Sequence, residues 1–208
     1  MSFMKGKKIK TSALGLELTI INKIGEGTQG EVFLVESKEG RYALKWYRPE
    51  QASALQRKAI EDLIIAGPPS GKADERFVWP LDIVDSIGDI QGLGYIMPVI
   101  DTERFAELEE IWAHKKPLPD FAAMCEISYK LANSFRALHL SGYCFRDISS
   151  GNLRFDPING DILICDNDNI ADNKNPDFQV WGTMEYMAPE LITGKAIPSA
   201  EKIGRAHV

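Results

Sequence analysis

A glycine-rich stretch near the amino terminus restricts the fold more than any other feature of this sequence. Gly25, Gly27 and Gly30 lie between two β-rich runs, Leu18 to Ile24 and Glu31 to Glu36. In a dinucleotide-binding fold such glycines open a helix. Here they are followed by β-branched and aromatic residues, which are typical of a strand. The motif therefore indicates a strand–turn–strand unit.

The chemistry of this turn suggests a ligand. Glycines lack a Cβ atom, so their backbone N–H groups can approach phosphate oxygens closely. The motif thus predicts a lid over a nucleotide. A plain glycine-rich hairpin is the alternative on this motif alone.

The rest of the first part also favours strands. A third run, Arg41 to Tyr47, follows a short turn and completes an antiparallel meander. A helix is expected from about Pro49 to Ala66, with Pro49 in its first turn. Two further strands are expected at Trp79 to Asp85 and Gly94 to Ile100.

The second part is mainly helical. A short helix is expected over Glu103 to His114, and Asp120 is a good N-cap for a long helix over Phe121 to Leu140. Two short strands, Leu153 to Phe155 and Ile162 to Cys165, would be joined by a turn at Asn159 and Gly160. The sequence therefore predicts an α+β fold, with a β-rich lobe followed by a helical lobe.

Composition excludes several classes of protein. Lys and Arg number 24 against 30 Asp and Glu, a net charge of −6, which argues against nucleic-acid binding. The 3 cysteines are widely spaced and the histidines number 3, which argues against a disulfide framework or a zinc site. No apolar run approaches the ~18 residues of a membrane span, and no secretory signal is recognisable. We expect a cytoplasmic protein.

Lys45 lies inside the apolar third run. A buried ammonium group needs an anionic partner, which the phosphates of a nucleotide would supply. A carboxylate on the following helix would orient it, and Glu61 is the best choice, with Ile65 on the same helix face packing inward. The alternatives are a Lys45 that reaches the surface and a Glu61 on a solvated face.

The strongest signal is the loop Phe145 to Asn152. Asp147 is suited to accept or orient a hydroxyl proton, and the amide oxygen of Asn152 is suited to bind Mg²⁺. Farther along, Asp166 ends a buried run, where a carboxylate can hold a metal that bridges phosphates.

Together with Ala188-Pro189-Glu190, these motifs resemble the signature set of protein kinases, in the same order and spacing. Segments such as Ala43 to Tyr47 and Phe77 to Asp82 look like bacterial Hanks-type serine/threonine kinases. The resemblance covers residues from about 18 to 195. It implies a bilobal α+β fold with one helix in the β-rich N-lobe, an incomplete helical C-lobe, and ATP and Mg²⁺ as cofactors.

The resemblance also implies roles for individual residues. Those implied to contact ATP are Gly25, Gly27, Gly30, Val32, Ala43, Lys45, Met97, Pro98 and Ile100. Those implied for catalysis are Asp147, Lys45, Glu61 and Thr183, and those implied to hold Mg²⁺ are Asn152 and Asp166. Val32 and Ala43 would line the adenine pocket, with Met97 as gatekeeper.

Five positions depart from the family pattern. The residues concerned are Phe145 for the usual His, Ser149 for a Lys, Arg154 for an apolar adenine floor, and Asn167-Asp168 for Phe-Gly. The groups with direct chemical duties are present, so we expect phosphotransfer from ATP to serine or threonine of protein substrates. The alternatives are a nucleotide-binding pseudokinase or scaffold, and a small-molecule kinase of similar fold.

The expected domain limits are an N-terminal extension at 1–17, the N-lobe at 18–100 and a partial C-lobe at 101–202. The last six residues, 203–208, resemble the translation of a sequencing-adapter stretch. We therefore expect a C-terminally truncated kinase domain, which by itself would be inactive.

Overall fold

The structure is a computed structural model that describes residues 4–71, 73–172, 183–187 and 189–193. The chain divides into two compact units. The first contains the residues up to Gly67 together with Trp79–Ile100, and the second contains Pro68–Val78 together with the residues from Asp101 onward. Pro68–Val78, which we expected in the N-lobe, thus separates with the second unit.

The first unit is built on one antiparallel sheet of six strands. They are β1 (Lys8–Lys10), β2 (Glu17–Glu26), β3 (Gly30–Glu36), β4 (Arg41–Tyr47), β5 (Asp82–Ile87) and β6 (Ile90–Pro98), in the order β1-β2-β3-β4-β6-β5. The expected meander is confirmed. The last two strands are displaced from the expected ranges of 79–85 and 94–100, because their pairing places the turn at Gly88, with φ 58°.

Strand β1 was not expected and lies within the predicted N-terminal extension. Ile9 is buried, and β1 pairs with β2 through Lys8 and Thr19. The chain then continues to the opposite edge of the sheet order, where Thr11 forms a bridge with Val84 of β5. The segment after β1 therefore connects the first and last strands in the sheet order.

A buried carboxylate anchors that segment. Asp82, at the start of β5, is 2% exposed and accepts hydrogen bonds from the backbone N–H groups of Leu14 (2.7 Å) and Ala13 (3.1 Å). A buried carboxylate is stable only when such donors satisfy it. Asp82 thus ties the amino-terminal segment to β5.

The sheet buries one face in an apolar core. Its members are Ile9, Leu18, Ile20, Phe33, Val35, Leu44, Trp46, Val84, Ile87 and Ile96. Side chains alternate between the two faces of a strand. Since Phe33 and Leu44 point into this core, the neighbours Val32, Ala43 and Lys45 lie on the opposite face.

Helix α1 spans Ala54–Ala66, so the expected start at Pro49 was wrong. The cause is Ser53, whose side chain accepts a hydrogen bond from Gln56 N at 3.1 Å and caps the helix there. Ile60 and Leu63 are buried, whereas Ile65 is 84% exposed. The expectation that Ile65 packs inward was therefore wrong, because the buried stripe runs along the other side of the helix.

The second unit combines short strands with helices. They are α2 (Leu108–Trp112), α3 (Phe121–Leu140), β7 (Tyr143–Phe145), β8 (Leu153–Phe155), β9 (Ile162–Ile164), β10 (Ile170–Asp172) and α4 (Pro189–Ile192). Helix α3 has the expected bounds, and Asp120 accepts from Ala123 N at 2.8 Å. Helix α2 is shorter than the expected 103–114, because a capping box at Glu107 and Glu110 starts it and Ala106 pairs with Phe155 instead.

Among the helices of the described part of the chain, none has the length and apolar character that crossing a bilayer requires.

The β8–β9 connection spans residues 156–161, as the expected strands imply, and includes Asn159 and Gly160. Asp156 organises it. The buried carboxylate accepts from Ile158 N and Asn159 N, both at 2.9 Å, and from Arg104 Nε at 2.8 Å. Burial alone would raise the pKa of the Asp156 carboxyl. The hydrogen bonds, led by those of Asn159, outweigh this effect and hold its pKa well below the usual range.

We expect Asp156→Ala to lower the free energy of unfolding by about 3 kcal/mol at pH 7, because it leaves buried donors without an acceptor. The depressed pKa stabilises the fold above the unfolded pKa of about 4, and this contribution is lost as the pH falls below it. Urea unfolding measures the free energy of unfolding at pH 7 and pH 3. The difference in this free energy between wild type and variant should be smaller at pH 3. Asp89 is exposed, so Asp89→Ala serves as the control. An equal free-energy difference at pH 7 and pH 3 would contradict the depressed pKa of Asp156.

Candidate active site

One face of the first unit's sheet carries four of the residues predicted to bind a nucleotide. Val32 lies opposite Lys45 in the β3–β4 pair, and Ala43 lies opposite Met97 in the β4–β6 pair. Directly paired residues share a face of the sheet. The sheet thus brings these four side chains together on the face away from the core. Pro98 is exposed at the end of β6.

Two glycines of the loop have different structural roles. A Cβ on Gly30 would lie 2.2 Å from the carbonyl oxygen of Trp46, so this position requires glycine for the approach of β3 to β4. A Cβ on Gly27 would meet nothing within 4 Å. Gly27 therefore faces open space, as a position that admits a ligand must.

The loop backbone is held by Arg48, the residue that follows strand β4. The guanidinium Nη2 of Arg48 donates to Glu26 Oε1 at 2.8 Å and to the carbonyl oxygen of Gly27 at 3.3 Å. Lys23 also pairs with Glu26 and Glu31. Charged contacts at both ends of the loop thus fix its position over the sheet.

Lys45 is 4% exposed, as expected for a lysine within an apolar strand. Its ammonium Nζ donates to Gln29 Oε1 at 2.8 Å and lies 5.5 Å from the centroid of the Tyr47 ring. The Tyr47 hydroxyl in turn accepts from Gln56 Nε2 at 3.1 Å. A glycine-loop side chain and an aromatic face therefore contact the predicted phosphate-binding ammonium.

Glu61, the expected partner of Lys45, is placed elsewhere. Its carboxylate Oε1 lies 2.9 Å from Arg57 Nε, and its side chain is 44% exposed. In the described structure Glu61 and Lys45 are not joined. Gln56, which donates to Tyr47, and the buried Ile60 lie instead on the inward side of helix α1.

Two neighbours of Lys45 were missed in the sequence. Tyr47 carried a signal, because a residue two positions along a strand lies on the same face. Gln29 carried none, since the reach of a loop side chain depends on the backbone path of the loop.

Nested strand pairs position the loop that carries Asp147 and Asn152, the predicted catalytic loop, in the second unit. Strands β8 and β9 pair with each other, and β7 pairs with β10 outside them. The loop that follows β7 and the segment that follows β9 therefore lie side by side. Two backbone bonds join them, Cys165 N to Asn152 O (2.8 Å) and Arg146 N to Asn169 O (3.3 Å).

Both oxygens of the Asp147 carboxylate are engaged. Oδ1 accepts from the backbone N and the hydroxyl Oγ1 of Thr183, each at 3.0 Å. Oδ2 accepts from Asn152 Nδ2 at 3.1 Å, and the same Nδ2 donates to the carbonyl oxygen of Asp147 at 2.7 Å. The structure thus brings Asp147, Asn152 and Thr183 into one hydrogen-bonded group.

Asp166 has a left-handed backbone, with φ 53° and ψ 45°. Non-glycine residues in this region carry strain and are concentrated at functional sites. Asn169 stabilises the turn, since its backbone N donates to Asp166 O at 3.1 Å. The strained backbone is thus found at the predicted metal ligand.

The residues that depart from the family pattern make packing or ionic contacts of their own. Phe145 is buried and packs edge-on against Phe135, with ring centroids 6.1 Å apart. Arg154 forms an ion pair with Glu107. Burial raises the pKa of the neighbouring Cys165 thiol to about 12, although Arg154 opposes the shift. Cys165 is therefore a protonated packing residue at neutral pH.

The buried Asn167 takes the place of the usual phenylalanine. Its Nδ2 donates to Ile164 O at 2.9 Å, while its Oδ1 has no hydrogen-bond partner among the described residues. An amide thus replaces the apolar contact of a phenylalanine at this position.

The donors present fit a Mg²⁺ ion shared with phosphates. Because Asn152 Nδ2 is turned to Asp147, the amide oxygen of Asn152 is the atom left to bind a cation. Within residues 4–71, 73–172, 183–187 and 189–193, no three His, Cys, Asp or Glu side chains converge into a metal site of their own. Mg²⁺ is commonly held by one or two carboxylates together with substrate phosphates, which Asn152 and Asp166 would allow.

The Ala188-Pro189-Glu190 motif falls mostly outside the described residues, because Ala188 and the side chain of Glu190 are not among them. The predicted tail at 203–208 lies outside them entirely.

Comparison with known families and proteins agrees with the sequence motifs. Residues 18–203 match the protein kinase domain family. Protein kinase gsk3 of Schizosaccharomyces pombe is 40% identical over 68 residues, which are 32% of this chain. Ribosomal protein S6 kinase alpha-6 of Mus musculus is 24% identical over 196 residues, which are 86% of this chain. The chain spans only 18% and 23% of the lengths of these two relatives.

Solved structures show the same fold. The kinase domain of PF14_0431 superposes with a TM-score of 0.75 at 15% identity, covering 99% of this chain and 64% of that chain. The M. tuberculosis PknI kinase domain gives a TM-score of 0.65 at 20% identity, covering 99% of this chain and 72% of that chain. At these identities the likeness concerns the fold, and it confirms the expected α+β architecture with a strand-rich first part.

Proposed function

The chain belongs to the protein kinase domain family, and from this membership we propose that it transfers the γ-phosphoryl group of ATP to serine or threonine hydroxyls of protein substrates. The observation that carries the proposal is the Asp147 carboxylate, which Thr183 and Asn152 hold at both oxygens. Such a fixed carboxylate can orient a substrate hydroxyl and accept its proton.

The predicted site residues would have separate roles in this reaction. The Lys45 ammonium would bind phosphate oxygens, and the backbone around Gly27 would cover them. Asp147 would accept the proton from the substrate hydroxyl as the hydroxyl oxygen bonds to phosphorus and the bond to the ADP oxygen breaks. Asn152 and Asp166 would hold Mg²⁺, which supplies positive charge to the phosphates when bound.

The finer assignment is to a serine/threonine kinase of the bacterial Hanks type, acting in the cytoplasm. The amino-acid sequence of segments such as Ala43 to Tyr47 supports assignment to the bacterial Hanks type. All three cysteines are free thiols, a state that fits a reducing compartment.

A second candidate is a nucleotide-binding pseudokinase. The observation in its favour is the pairing of Glu61 with Arg57, together with Ser149 where the family usually has a lysine. Fewer charges at the transferring phosphoryl would slow the reaction.

Radiolabelled ATP with Mg²⁺ and a mixture of protein substrates tests the proposal on the full-length protein. We expect label in protein, and acid hydrolysis should release phosphoserine and phosphothreonine. Removing Mg²⁺ with a chelator should abolish the transfer. Nucleotide binding without any transfer would favour the pseudokinase, and label confined to small molecules would favour a small-molecule kinase.

A further inference from the structure

We propose that Gln29 is a latch on Lys45, a positioning residue whose amide oxygen holds the ammonium group in the absence of nucleotide and releases it when phosphates bind. This inference rests on the proposed function and deepens it. The latch consists of two groups, Gln29 Oε1 and Lys45 Nζ, which are 2.8 Å apart.

The first argument is the position of the latch. Gln29 immediately precedes Gly30 in the loop predicted to cover the phosphates, and Lys45 lies on the sheet face that carries Val32 and Ala43. A side chain that reaches from this loop to Lys45 enters the space that a phosphate on Lys45 requires. The ammonium group has three N–H donors, and the one directed to Gln29 can serve a phosphate oxygen only when the amide oxygen is displaced.

The second argument is that only the side chain has to move. The carbonyl oxygen of Gln29 accepts from Arg48 N at 2.9 Å, so the backbone of the loop is fixed at this residue. Arg48 also holds Glu26 and the carbonyl of Gly27. Separation of the Gln29 oxygen from the Lys45 ammonium then requires rotation of the Gln29 side chain, while the loop backbone stays in place to cover the phosphates.

The third argument is the burial of Lys45, which is 4% exposed. A buried ammonium is costly unless polar groups satisfy it. Gln29 supplies an acceptor without adding a negative charge that would repel a nucleotide. A carboxylate at the same position would hold Lys45 more strongly and would repel the incoming phosphates.

Two substitutions at this position should therefore act in opposite directions. Gln29→Met keeps the length of the side chain but removes the amide oxygen, and we expect it to tighten ADP binding about tenfold, the scale of one hydrogen bond to a charged group. Gln29→Glu should weaken ADP binding by about tenfold or more. Adenosine carries no phosphate, so its affinity should stay within about twofold of wild type in both variants.

Isothermal titration of the full-length protein with ADP and with adenosine measures these affinities. Gln91→Met, the same substitution at an exposed glutamine of β6, is the control and should change neither affinity. The adenosine affinity also reports whether each variant is folded. Equal or weaker ADP binding by Gln29→Met, with adenosine binding intact, would overturn the latch while leaving the proposed function standing. Failure of the wild type to bind either ligand would overturn both.

Discussion

Replacing Asp147 by asparagine is expected to lower kcat about 10³-fold, within the range that general-base groups contribute. An amide has nearly the same shape as the carboxylate but cannot accept the substrate proton. Its oxygen can still accept from Thr183, which donates to Oδ1 through both N and Oγ1 at 3.0 Å. The substitution removes the side-chain acceptor of Asn152 Nδ2, but this Nδ2 keeps its 2.7 Å hydrogen bond to the carbonyl oxygen of residue 147. The loop should therefore keep its structure while the chemistry is lost.

The measurement is steady-state phosphotransfer by the full-length protein, together with ADP affinity. We expect the affinity to stay within a few-fold of wild type, so that the loss appears in kcat. Asp62→Asn, at an exposed position on helix α1, is the matched control. Activity within a factor of ten of wild type in Asp147→Asn would remove Asp147 from the role of proton acceptor.

Lys45→Ala should produce the second largest effect, a fall in kcat/KM of about 10²-fold or more, as expected when a fixed charge at the phosphates is lost. The ammonium is buried and already held in position by Gln29 and Tyr47. Substrate binding then exchanges the Gln29 oxygen for phosphate oxygens and leaves the ammonium group in place, which is why its removal is costly.

The effect of Lys45→Ala should be specific to phosphates. Affinity for ADP should fall while affinity for adenosine changes little, because the lost group contacts only the phosphates. Lys58→Ala, an exposed lysine of α1 that pairs with Asp62, is the control and should retain full activity. Wild-type phosphotransfer by Lys45→Ala would show that the ammonium has no part in the reaction.

The sequence predicted the elements that have strong local signals. Strands β2 to β4 and helix α3 followed from apolar runs, and Asp120 marked the start of α3 correctly. Strands β1, β7 and β10 were missed, whereas the equally short β8 and β9 were predicted because an Asn-Gly turn lies between them. Their existence depends on partners that are distant in the sequence.

The contacts within the site were predictable only where a motif fixes them. The family resemblance placed Thr183 and Asp147 together among the residues implied for catalysis, and the structure joins these two by a hydrogen bond. The orientation of Glu61 was not predictable from the helical pattern, because burial of Ile60 and Leu63 and the contact of Arg57 with Asp85 set the rotation of helix α1. Tertiary packing thus determines which way an acidic side chain on this helix points, and the helical pattern alone does not.

The segment after β1 has a consequence for the order in which the chain can fold. Ser12 donates to Asp85 and Leu14 to Asp82, across separations of 73 and 68 residues. Contacts between residues so far apart require closure of a long loop, which costs entropy and slows folding. As the chain leaves the ribosome, Ser12 and Leu14 can meet these two carboxylates only after β5 has been made. The segment after β1 is therefore synthesised well before its partner and docks late, and a deletion within it should disturb the last step of assembly of the first unit.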